Sequence, residues 1–346
     1  MNIINIIKNS VPLIDLRSPI EYKKGAIPSS TNIPILSDLQ REKVGIKYKK
    51  LGKSEAVKLG FYLLRSQKKE LIKLWVNFIK KNPEAHMYCM RGGQRSQIAQ
   101  SWLKEEGITI PIVEGGFKVL RNNYIAILNV ASEDRKVWTI VGGRTGSGKT
   151  ILLNKFKSSI DLEKHALHRG SAFGSLRVEQ PTQINFENNL ALDYLSRNNN
   201  SIFLEDESQR IGKVLLPKCW HDRMGKSNVI ILNINLEERI LNIFNEYISE
   251  PLKNGQSAKE LNDLLQKSLF NIKKRLGGKL YFDISKDINS SFSKISNKSH
   301  HDWIKTILTN YYDPMYDYQI KSKMNRCVFK GDKSKIINYL SEIEII

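Results

Sequence analysis

Cysteine is scarce in this chain. Three cysteines occur among 346 residues, at Cys89, Cys219 and Cys327, and they are widely separated. An odd number of cysteines without paired spacing argues against a disulfide framework and against a cysteine-based zinc site, and it favours a reducing compartment such as the cytoplasm. We therefore expect the chemistry of the chain to use single thiols.

Long apolar runs are also missing. The opening residues 1–7 (MNIINII) are too few and too polar for a secretory signal, and no later run approaches the ~20 apolar residues that cross a bilayer. The sequence thus predicts a soluble, cytoplasmic protein without a membrane partner. Its length predicts two or three domains, each with enough apolar residues for a buried core.

Acidic residues are few relative to basic ones. The chain has 35 Asp and Glu against 55 Lys and Arg, which gives a net charge of +20. Such an excess favours a polyanionic partner, because released counterions and long-range attraction both strengthen binding to RNA or DNA. Aromatic residues alternate with basic ones mainly in the last third of the chain, as in nucleic-acid-binding surfaces. The alternative is a lysine-rich composition that merely solvates the surface.

A cysteine loop follows a short apolar strand. Residues 86–88 (HMY) predict a buried strand, and the loop 89–96 (CMRGGQRS) leads into a predicted helix. Backbone N–H groups of such a turn and the positive end of the helix stabilise a thiolate. We predict that Cys89 is a nucleophile and that Arg95 binds a tetrahedral oxyanion through two hydrogen bonds; the alternative is a structural cysteine. The same anion site is predicted to include Arg91, Gly92, Gly93, Gln94 and Ser96.

A phosphate-binding loop follows a second apolar strand. Residues 137–142 (VWTIVG) predict a buried strand, and the next eight residues read Gly-x4-Gly-Lys-Thr before a helix. In such a loop the backbone N–H groups surround phosphates, Lys149 adds a positive charge and Thr150 offers a hydroxyl to Mg²⁺. The predicted phosphate-binding residues are Gly143, Arg144, Thr145, Gly146, Ser147, Gly148, Lys149 and Thr150.

Acidic residues end a third predicted strand. Residues 201–204 (SIFL) are followed by Glu205, Asp206 and Glu207. We predict Asp206 as the Mg²⁺ partner of Thr150, with Glu205 and Glu207 as alternatives. A further strand at residues 228–234 and a helix after it complete the alternation of strands and helices that is typical of a parallel sheet covered on both faces.

Domain boundaries and helices follow from the same patterns. The polar run at residues 131–136 predicts a boundary between an α/β domain (1–130) and a second, parallel-sheet α/β domain (131–346). From Glu250 onward no further strands are predicted, and a basic, helical C-terminal region is expected.

A long helix is predicted within the first domain. Residues 42–74 are predicted as helical with a break at Leu51-Gly52, and Leu59, Tyr62, Leu63 and Leu64 are predicted to form an apolar stripe in the core.

The first domain resembles rhodanese-like domains. The resemblance rests on Asp15-Leu16-Arg17, Glu21-Tyr22, residues 25–28 (GAIP), residues 32–34 (NIP) and residues 113–117 (VEGGF). The loop from Cys89 to Arg95 is one residue longer than the Cys-x4-Arg loop of sulfurtransferases and is similar to that of rhodanese-fold phosphatases. The resemblance therefore implies that the loop holds a phosphate-like group.

The whole chain resembles the tRNA 2-selenouridine synthase family, in which a rhodanese-like domain is fused to a P-loop domain. The resemblance rests on the two loops together with residues 167–174 (LHRGSAFG), 205–212 (EDESQRIG) and 311–318 (YYDPMYDY). It implies an enzyme, a transferase, that alkylates 2-thiouridine at the tRNA wobble position with geranyl diphosphate and then replaces the S-geranyl group with selenium from selenophosphate.

The resemblance also implies the partners of the chain. These are the tRNA anticodon arm and an enzyme that supplies selenophosphate; Mg²⁺ is expected, a bound prosthetic group is not, and the oligomeric state stays open. In this family His168, Arg169 and Ser171 are candidate substrate contacts. Cys89 attacks either selenophosphate, giving a perselenide-like intermediate, or the activated base carbon. The loop Gly143–Thr150 binds ATP, a prenyl diphosphate or selenophosphate.

Two other function classes stay open at this stage. One is a rhodanese-fold sulfurtransferase or phosphatase with a regulatory nucleotide-binding domain, which would act on small substrates without RNA. The other is a non-catalytic RNA-binding module. Intact Cys89, Lys149 and Thr150 argue against the second class.

Overall fold

The computed structural model describes residues 2–293 and 297–345. Up to residue 131, short parallel strands alternate with helices. The elements are α1 (Ile3–Lys8), β1 (Leu13–Asp15), α2 (Pro19–Lys24), β2 (Ser30–Asn32), α3 (Asp38–Leu64), α4 (Lys68–Lys81), β3 (His86–Tyr88), α5 (Gln94–Glu105) and α6 (Gly116–Ala131).

The rest of the chain begins with strands and ends mainly with helices. Its strands are β4 (Val137–Gly142), β5 (Ser159–Ile160), β6 (Ser201–Glu205), β7 (Arg210–Ile211), β8 (Val214–Leu215), β9 (Asn228–Leu232) and β10 (Cys327–Gly331). Its helices are α7 (Lys149–Leu153), α8 (Leu162–Ala166), α9 (Gln183–Ser196), α10 (Lys218–Met224), α11 (Leu236–Phe244), α12 (Glu250–Lys253), α13 (Ala258–Asn271), α14 (Lys273–Leu276), α15 (Gly278–Ser293), α16 (Asn297–Ile307), α17 (Asp313–Ser322) and α18 (Lys333–Ile345). Two π-helical turns occupy Asn245–Ser249 and Leu308–Tyr312, and a 3-10 turn occupies Met324–Arg326.

The chain forms two compact units. The first comprises Met1–Ala131 together with Pro181–Ser196, and the second comprises Ser132–Gln180 and Arg197–Ile346. The segment Pro181–Ser196, which carries α9, was assigned to the second domain by sequence. Its membership of the first unit follows from its own hydrogen bonds.

Helix α9 is held by side chains of the first unit. The Asn188 amide donates to the carbonyl of Ala26 at 2.8 Å, and the Ala26 N–H donates to Asn185 at 2.8 Å. Arg121 of α6 donates to the Asn188 side-chain oxygen at 2.7 Å and forms an ion pair with Glu187. These polar contacts are mostly buried, so breaking them would leave donors and acceptors unpaired.

The first unit is built on a parallel sheet in the order β2-β1-β3. Ile14 pairs with Thr31 on one side and with Met87 on the other. Crossover connections place helices against this sheet, and apolar side chains including Trp75, Met87 and Leu103 fill the core between them. Because β3 is buried and pairs with β1 along its whole length, the loop that leaves its carboxyl end at Cys89 starts from a fixed position.

Helix α3 is largely exposed. It is interrupted at Gly52, whose φ of 79° is not helical, in agreement with the predicted break. Leu64 is buried as predicted, but Tyr62 is 74% exposed, so its assignment to the core is wrong. Leucine and tyrosine at helical spacing define one face of a helix, but the spacing does not show whether another element packs against that face. The sequence therefore predicted too many core residues in this helix.

The second unit contains a five-stranded parallel sheet in the order β10-β9-β4-β6-β5. The predicted strands at β4, β6 and β9 are present, and β4 is hydrogen-bonded to both of the others. Strand β10 was missed, because a helical C-terminal region was expected there. It is an edge strand whose residues are alternately exposed and half-buried, so its five residues lack the apolar run that marks the central strands.

A separate helical core lies in the C-terminal part of the second unit. It is formed by buried side chains from α11, α13, α15 and α16, among them Leu265, Ile284, Trp303 and Ile304. The prediction of a helical C-terminal region is correct outside β10. In residues 2–293 and 297–345, no helix is both long enough and apolar enough to cross a membrane.

Candidate active site

Cys89 lies in a tight loop between β3 and α5. The residue is 3% exposed. The N–H groups of Phe117 and Lys118, in the first turn of α6, donate to the carbonyls of Cys89 at 2.9 Å and Met90 at 3.1 Å. The backbone of the loop is thus held from behind by α6, while the loop leads into the start of α5.

Two glycines make this close packing possible. Gly92 and Gly116 adopt φ angles of 64° and 58°, which L side chains rarely adopt. A Cβ atom on Gly116 would lie 2.2 Å from the carbonyl oxygen of Cys89, and one on Gly92 would lie 2.9 Å from the carbonyl of Val113. Gly92, in the loop at residues 89–96, and Gly116, in the segment at residues 113–117, therefore pack together at the cysteine loop.

The environment of Cys89 favours its thiolate. Burial raises the pKa of the Cys89 thiol, but the Ser96 hydroxyl, the Arg91 backbone N–H and the charge of Arg95 together outweigh burial and bring the pKa below its ordinary value. Arg91, Arg95 and Ser96 were all predicted for this site. The structure places them where they act on the sulfur.

The guanidinium of Arg95 has a partner that the sequence analysis did not identify. It donates to the buried carboxylate of Glu21 at 2.7 and 3.4 Å, and burial, which raises the pKa of Glu21, is outweighed by Arg95. Glu21 also accepts the N–H of Ser18 at 3.0 Å. Two of the five guanidinium N–H donors of Arg95 thus bind Glu21, and its charge acts on the thiol; its contact with a bound oxyanion stays a prediction.

A pH profile of alkylation tests this arrangement. Iodoacetamide should modify Cys89 with a half-maximal rate below pH ~8.5, the ordinary thiol value, because only the thiolate reacts. The Arg95→Gln variant should shift the profile to higher pH, since the positive charge beside the thiol is lost and Arg95 no longer neutralises the negative charge of Glu21. The rate is measured by mass spectrometry of the Cys89 peptide.

The matched control for this profile is Lys104→Gln, which removes an exposed charge at the other end of α5. Its profile should coincide with that of the wild type. A profile centred at the ordinary thiol pKa in the wild type would contradict the assignment of Cys89 as an activated nucleophile.

The phosphate-binding loop connects β4 with α7. Gly146 and Gly148 have φ angles of 80° and 74°, and Lys149 donates to the carbonyl of Gly143 at 3.3 Å. From outside, Asn242 donates to the carbonyl of Gly146 at 2.9 Å and Arg239 to that of Thr145 at 2.9 Å. These bonds fix the curved backbone whose N–H groups are suited to phosphate.

Helix α17 braces the same loop through two ion pairs. Asp313 binds the buried Arg239 at 2.5 and 3.1 Å, and Asp317 binds Arg144 at 2.8 Å through both of its oxygens. Arg144, predicted to bind phosphate, is thus paired with a carboxylate. The motif at residues 311–318 carries these two aspartates, and sequence reasoning did not link them to the loop.

Three carboxylates converge beside Thr150. Ligand oxygens of Glu163, Glu205 and Glu207 lie within 4.8 Å of one another, and the Thr150 hydroxyl donates to Glu163 at 3.5 Å. Asp206, the predicted metal partner, points elsewhere, because both of its oxygens accept from Lys323 at 2.6 Å. The structure thus favours the alternatives Glu205 and Glu207, and it adds Glu163, which follows β5 and had no recognised motif.

Electrostatics in this cluster are strongly coupled. Burial, followed by repulsion from the neighbouring carboxylates, raises the pKa of Glu163 to about 9. Burial would lower the pKa of Lys149, but Tyr316 and the three glutamates raise it above its ordinary value. The site therefore combines a charged lysine with three carboxylates. Their mutual repulsion disfavours the state in which all three are ionised, and a bound cation would relieve that repulsion.

A cavity of about 490 Å³ opens beside the loop. Its lining includes Lys149 and Thr150 as well as the predicted substrate contacts His168, Arg169 and Ser171. Arg169 forms an ion pair with Glu246 at 2.7 Å and lies 4.7 Å from the ring centre of Tyr247. Burial lowers the pKa of His168, which favours its neutral form.

Comparison with known proteins assigns both units. A family model described as the tRNA 2-selenouridine synthase AAA domain matches residues 136–345, and a model described as a rhodanese-like domain matches residues 4–123. The predicted fold, a rhodanese-like α/β domain followed by a P-loop, parallel-sheet α/β domain with a helical C-terminal part, is thereby confirmed.

Curated relatives match over nearly their whole length. The tRNA 2-selenouridine synthase of Shewanella denitrificans is 42% identical over 96% of this chain and 94% of the relative. Those of Shewanella woodyi (40% identical, 95% of this chain and 93% of the relative) and Sulfurovum sp. strain NBC37-1 (41%, 98% and 96%) are similarly close. The match spans the cysteine loop, the phosphate-binding loop and the motif on α17, and the chain therefore belongs to the tRNA 2-selenouridine synthase family.

Proposed function

We propose that this chain converts 2-thiouridine at the wobble position of tRNA to 2-selenouridine, with geranyl diphosphate and selenophosphate as co-substrates. The observation that carries the proposal is the presence of two different anion sites in one chain. One is a thiol with a lowered pKa in an amide-rich loop, and the other is a phosphate loop with a charged lysine and a carboxylate cluster. Two chemical steps with two phosphorus-containing donors require such a pair.

The first step is alkylation of the base. The sulfur of 2-thiouridine attacks the first carbon of geranyl diphosphate, a C–S bond forms, the C–O bond breaks, and diphosphate leaves with the bonding electrons. Negative charge therefore grows on the diphosphate, where the loop amides and Lys149 stabilise it. Arg169 and His168 also line this cavity.

The residues present fit a divalent cation. Glu163, Glu205 and Glu207 are oxygen donors of the kind that Mg²⁺ prefers, and the Glu205 side chain has a buried oxygen without a hydrogen-bond partner. These three carboxylates and Thr150 would hold the ion, which supplies charge neutralisation for the leaving diphosphate. Lys149 and the backbone N–H groups of the phosphate-binding loop would hold and orient the diphosphate.

The second step uses Cys89. Attack of the thiolate on the selenium of selenophosphate would leave the P–Se bonding electrons on phosphorus and release phosphite, so release of phosphate by that route needs an added oxidant, whereas attack on the phosphorus does not. In the balanced route an S–P bond forms, the P–Se bond breaks, and selenide leaves with the electron pair. Selenide adds to carbon 2 of the geranylated base, geranyl thiolate leaves, and water hydrolyses the phosphocysteine.

Binding of tRNA is supported by the charge of the chain and by the surface of α3. The net charge is +20, and Lys43, Lys49, Lys50 and Lys53 are all exposed along this helix. Tyr48, which is 57% exposed, lies among them. Lysines that contact phosphates and an aromatic ring that stacks on an unpaired base are the elements of single-stranded RNA recognition.

Nucleoside analysis tests the proposed function. Purified protein is incubated with 2-thiouridine-containing tRNA and Mg²⁺, and with geranyl diphosphate and selenophosphate added separately or together. Geranyl diphosphate alone should give the S-geranyl nucleoside without added ATP, and both donors should give 2-selenouridine. Hydrolysis of small phosphate or thiosulfate substrates without any change in tRNA would instead indicate the rhodanese-fold phosphatase or sulfurtransferase class.

Substitutions in the acidic cluster should separate the two candidate metal sets. Glu205→Gln and Glu207→Gln are expected to lower geranyl transfer by about 100-fold and to raise the Mg²⁺ concentration needed for half-maximal rate, because each removes a ligand charge. Asp206→Asn should change the rate by less than about 5-fold, since Asp206 binds Lys323.

Titration of Mn²⁺ binding provides an activity-independent measurement for the same three variants. It should weaken in the two glutamate variants and stay unchanged in Asp206→Asn. The opposite pattern would restore Asp206 as the metal partner.

A further inference from the structure

A second cavity adjoins the one at the phosphate loop. It has a volume of about 220 Å³, and four residues line both spaces: Arg169, Leu176, Tyr247 and Glu250. We call it the side cavity. Because its lining overlaps that of the loop cavity, a molecule held by Lys149 at one end can extend into it.

The wall of the side cavity is apolar on one side. Phe173, Leu176, Pro251, Leu261, Leu264 and Leu265 form this wall, and the rest of the lining consists of residues with polar groups: Arg169, Ser175, Arg177, Tyr247, Glu250, Asn254 and Gln256. Phe173 and Leu265 belong to the helical core and are at most 7% exposed, so this wall is rigid. The loop cavity has the volume of a small-ligand site, and the side cavity extends it with a partly apolar lining.

A third, smaller space continues the apolar surface. It has a volume of about 30 Å³, it is lined by Phe173, Tyr247 and Leu265 together with Thr145 of the phosphate loop, and none of its exposed area is polar. Apolar surface therefore extends from the phosphate loop itself towards the side cavity. A purine or ribose would leave its polar edges unpaired along such a wall, whereas a hydrocarbon chain would not.

We propose that the side cavity binds the hydrocarbon chain of the diphosphate donor and sets the chain length that the enzyme accepts. This inference rests on the proposed function, since it names the subsite for the tail of the same donor. Leu176 lines both cavities, and Leu264 of α13 lines the side cavity alone. These two leucines control entry and depth.

Chain-length selection gives a measurable signature. Each buried methylene-sized group contributes a factor of about four in binding. The five-carbon dimethylallyl diphosphate should therefore have a kcat/KM at least about 100-fold below that of the ten-carbon geranyl diphosphate. The fifteen-carbon farnesyl diphosphate should also be disfavoured, because the side cavity has a volume of only about 220 Å³.

Two substitutions test the assignment. Leu264→Trp should lower kcat/KM for geranyl diphosphate at least about 30-fold, keep that for dimethylallyl diphosphate within about 3-fold, and leave inhibition by inorganic diphosphate unchanged. Leu264→Ala should improve the relative use of farnesyl diphosphate at least about 10-fold. Leu241→Trp, at a leucine that is 48% exposed and lines neither cavity, is the control and should match the wild type.

The outcomes separate this inference from the proposed function. If the wild type transfers no prenyl group from any of the three donors, the proposed function fails and the inference falls with it. If transfer occurs but the two Leu264 variants keep the wild-type chain-length preference, the inference alone is overturned. Since Leu264→Trp adds bulk, its thermal unfolding is compared with that of the wild type, and Leu264→Ala decides the question if Leu264→Trp is unfolded.

Discussion

Lys149→Ala should lower geranyl transfer by about 100- to 1,000-fold and leave the selenium step intact. Lys149 is held in its charged form by Tyr316 and three glutamates, and it lines the cavity in which, in the proposed reaction, charge grows on the leaving diphosphate. Removing one preorganised donor to a developing anion has an effect of this size. The measurement is the rate of S-geranyl-2-thiouridine formation, followed by mass spectrometry of digested tRNA.

A second arm of the experiment isolates the step. When pre-geranylated tRNA and selenophosphate are supplied, Lys149→Ala should form 2-selenouridine at the wild-type rate. Lys164→Ala is a matched control, because Lys164 is exposed and lines the same cavity without belonging to the loop. Failure of the Lys149 variant with pre-geranylated tRNA, or a strict ATP requirement in the wild type, would mean that the loop binds selenophosphate or a nucleotide.

Cys89→Ala should abolish selenium incorporation and leave geranyl transfer within about 3-fold of the wild type. The thiolate is proposed only for the selenium step, and the alkylation needs only the sulfur of the base. The two products are quantified separately in the same digest. Loss of both products in a folded variant would show that Cys89 has a wider role than the one proposed.

The covalent partner of Cys89 is a separate question with a direct readout. Selenophosphate labelled with ³²P should leave label on Cys89 after rapid acid quench if the thiolate attacks phosphorus. A covalent bond between protein and tRNA in the same experiment would instead place the attack on carbon 2 of the geranylated base. A sample with neither adduct, from protein that is active before the quench, would contradict nucleophilic catalysis by Cys89.

Sequence alone predicted the parts of the fold whose signals are local. The pattern of a buried strand, glycines and a helix lies within one continuous stretch of sequence. For this reason β3 with the Cys89 loop and β4 with the phosphate loop were both located correctly. Strand β10 is an edge strand with mixed exposure, and it carries no comparable local pattern.

Contacts between distant residues were the part that sequence could not supply. Glu21 binds Arg95, Lys323 binds Asp206, and Asp317 binds Arg144. In each pair a charged residue in a recognised motif is bound by another that is far away in the chain. A motif gives the types of side chain near a site, but their partners depend on tertiary packing, which is why the ion pairs of Arg95 and Asp206 were not predicted.

Helix α9 sets an order of events during synthesis. The first unit takes this helix from residues 181–196, which leave the ribosome after β4, the phosphate loop and α8. Domains that are continuous in sequence fold as soon as they emerge, but here Ala26, Asn188 and Arg121 cannot be paired until residues 132–196, about a fifth of the chain, have been made. We infer that, in a nascent chain of residues 1–131, Ala26 and Arg121 lack the hydrogen bonds that α9 later provides. A fragment cut at residue 131 would therefore have a lower free energy of unfolding than the same unit within the whole protein.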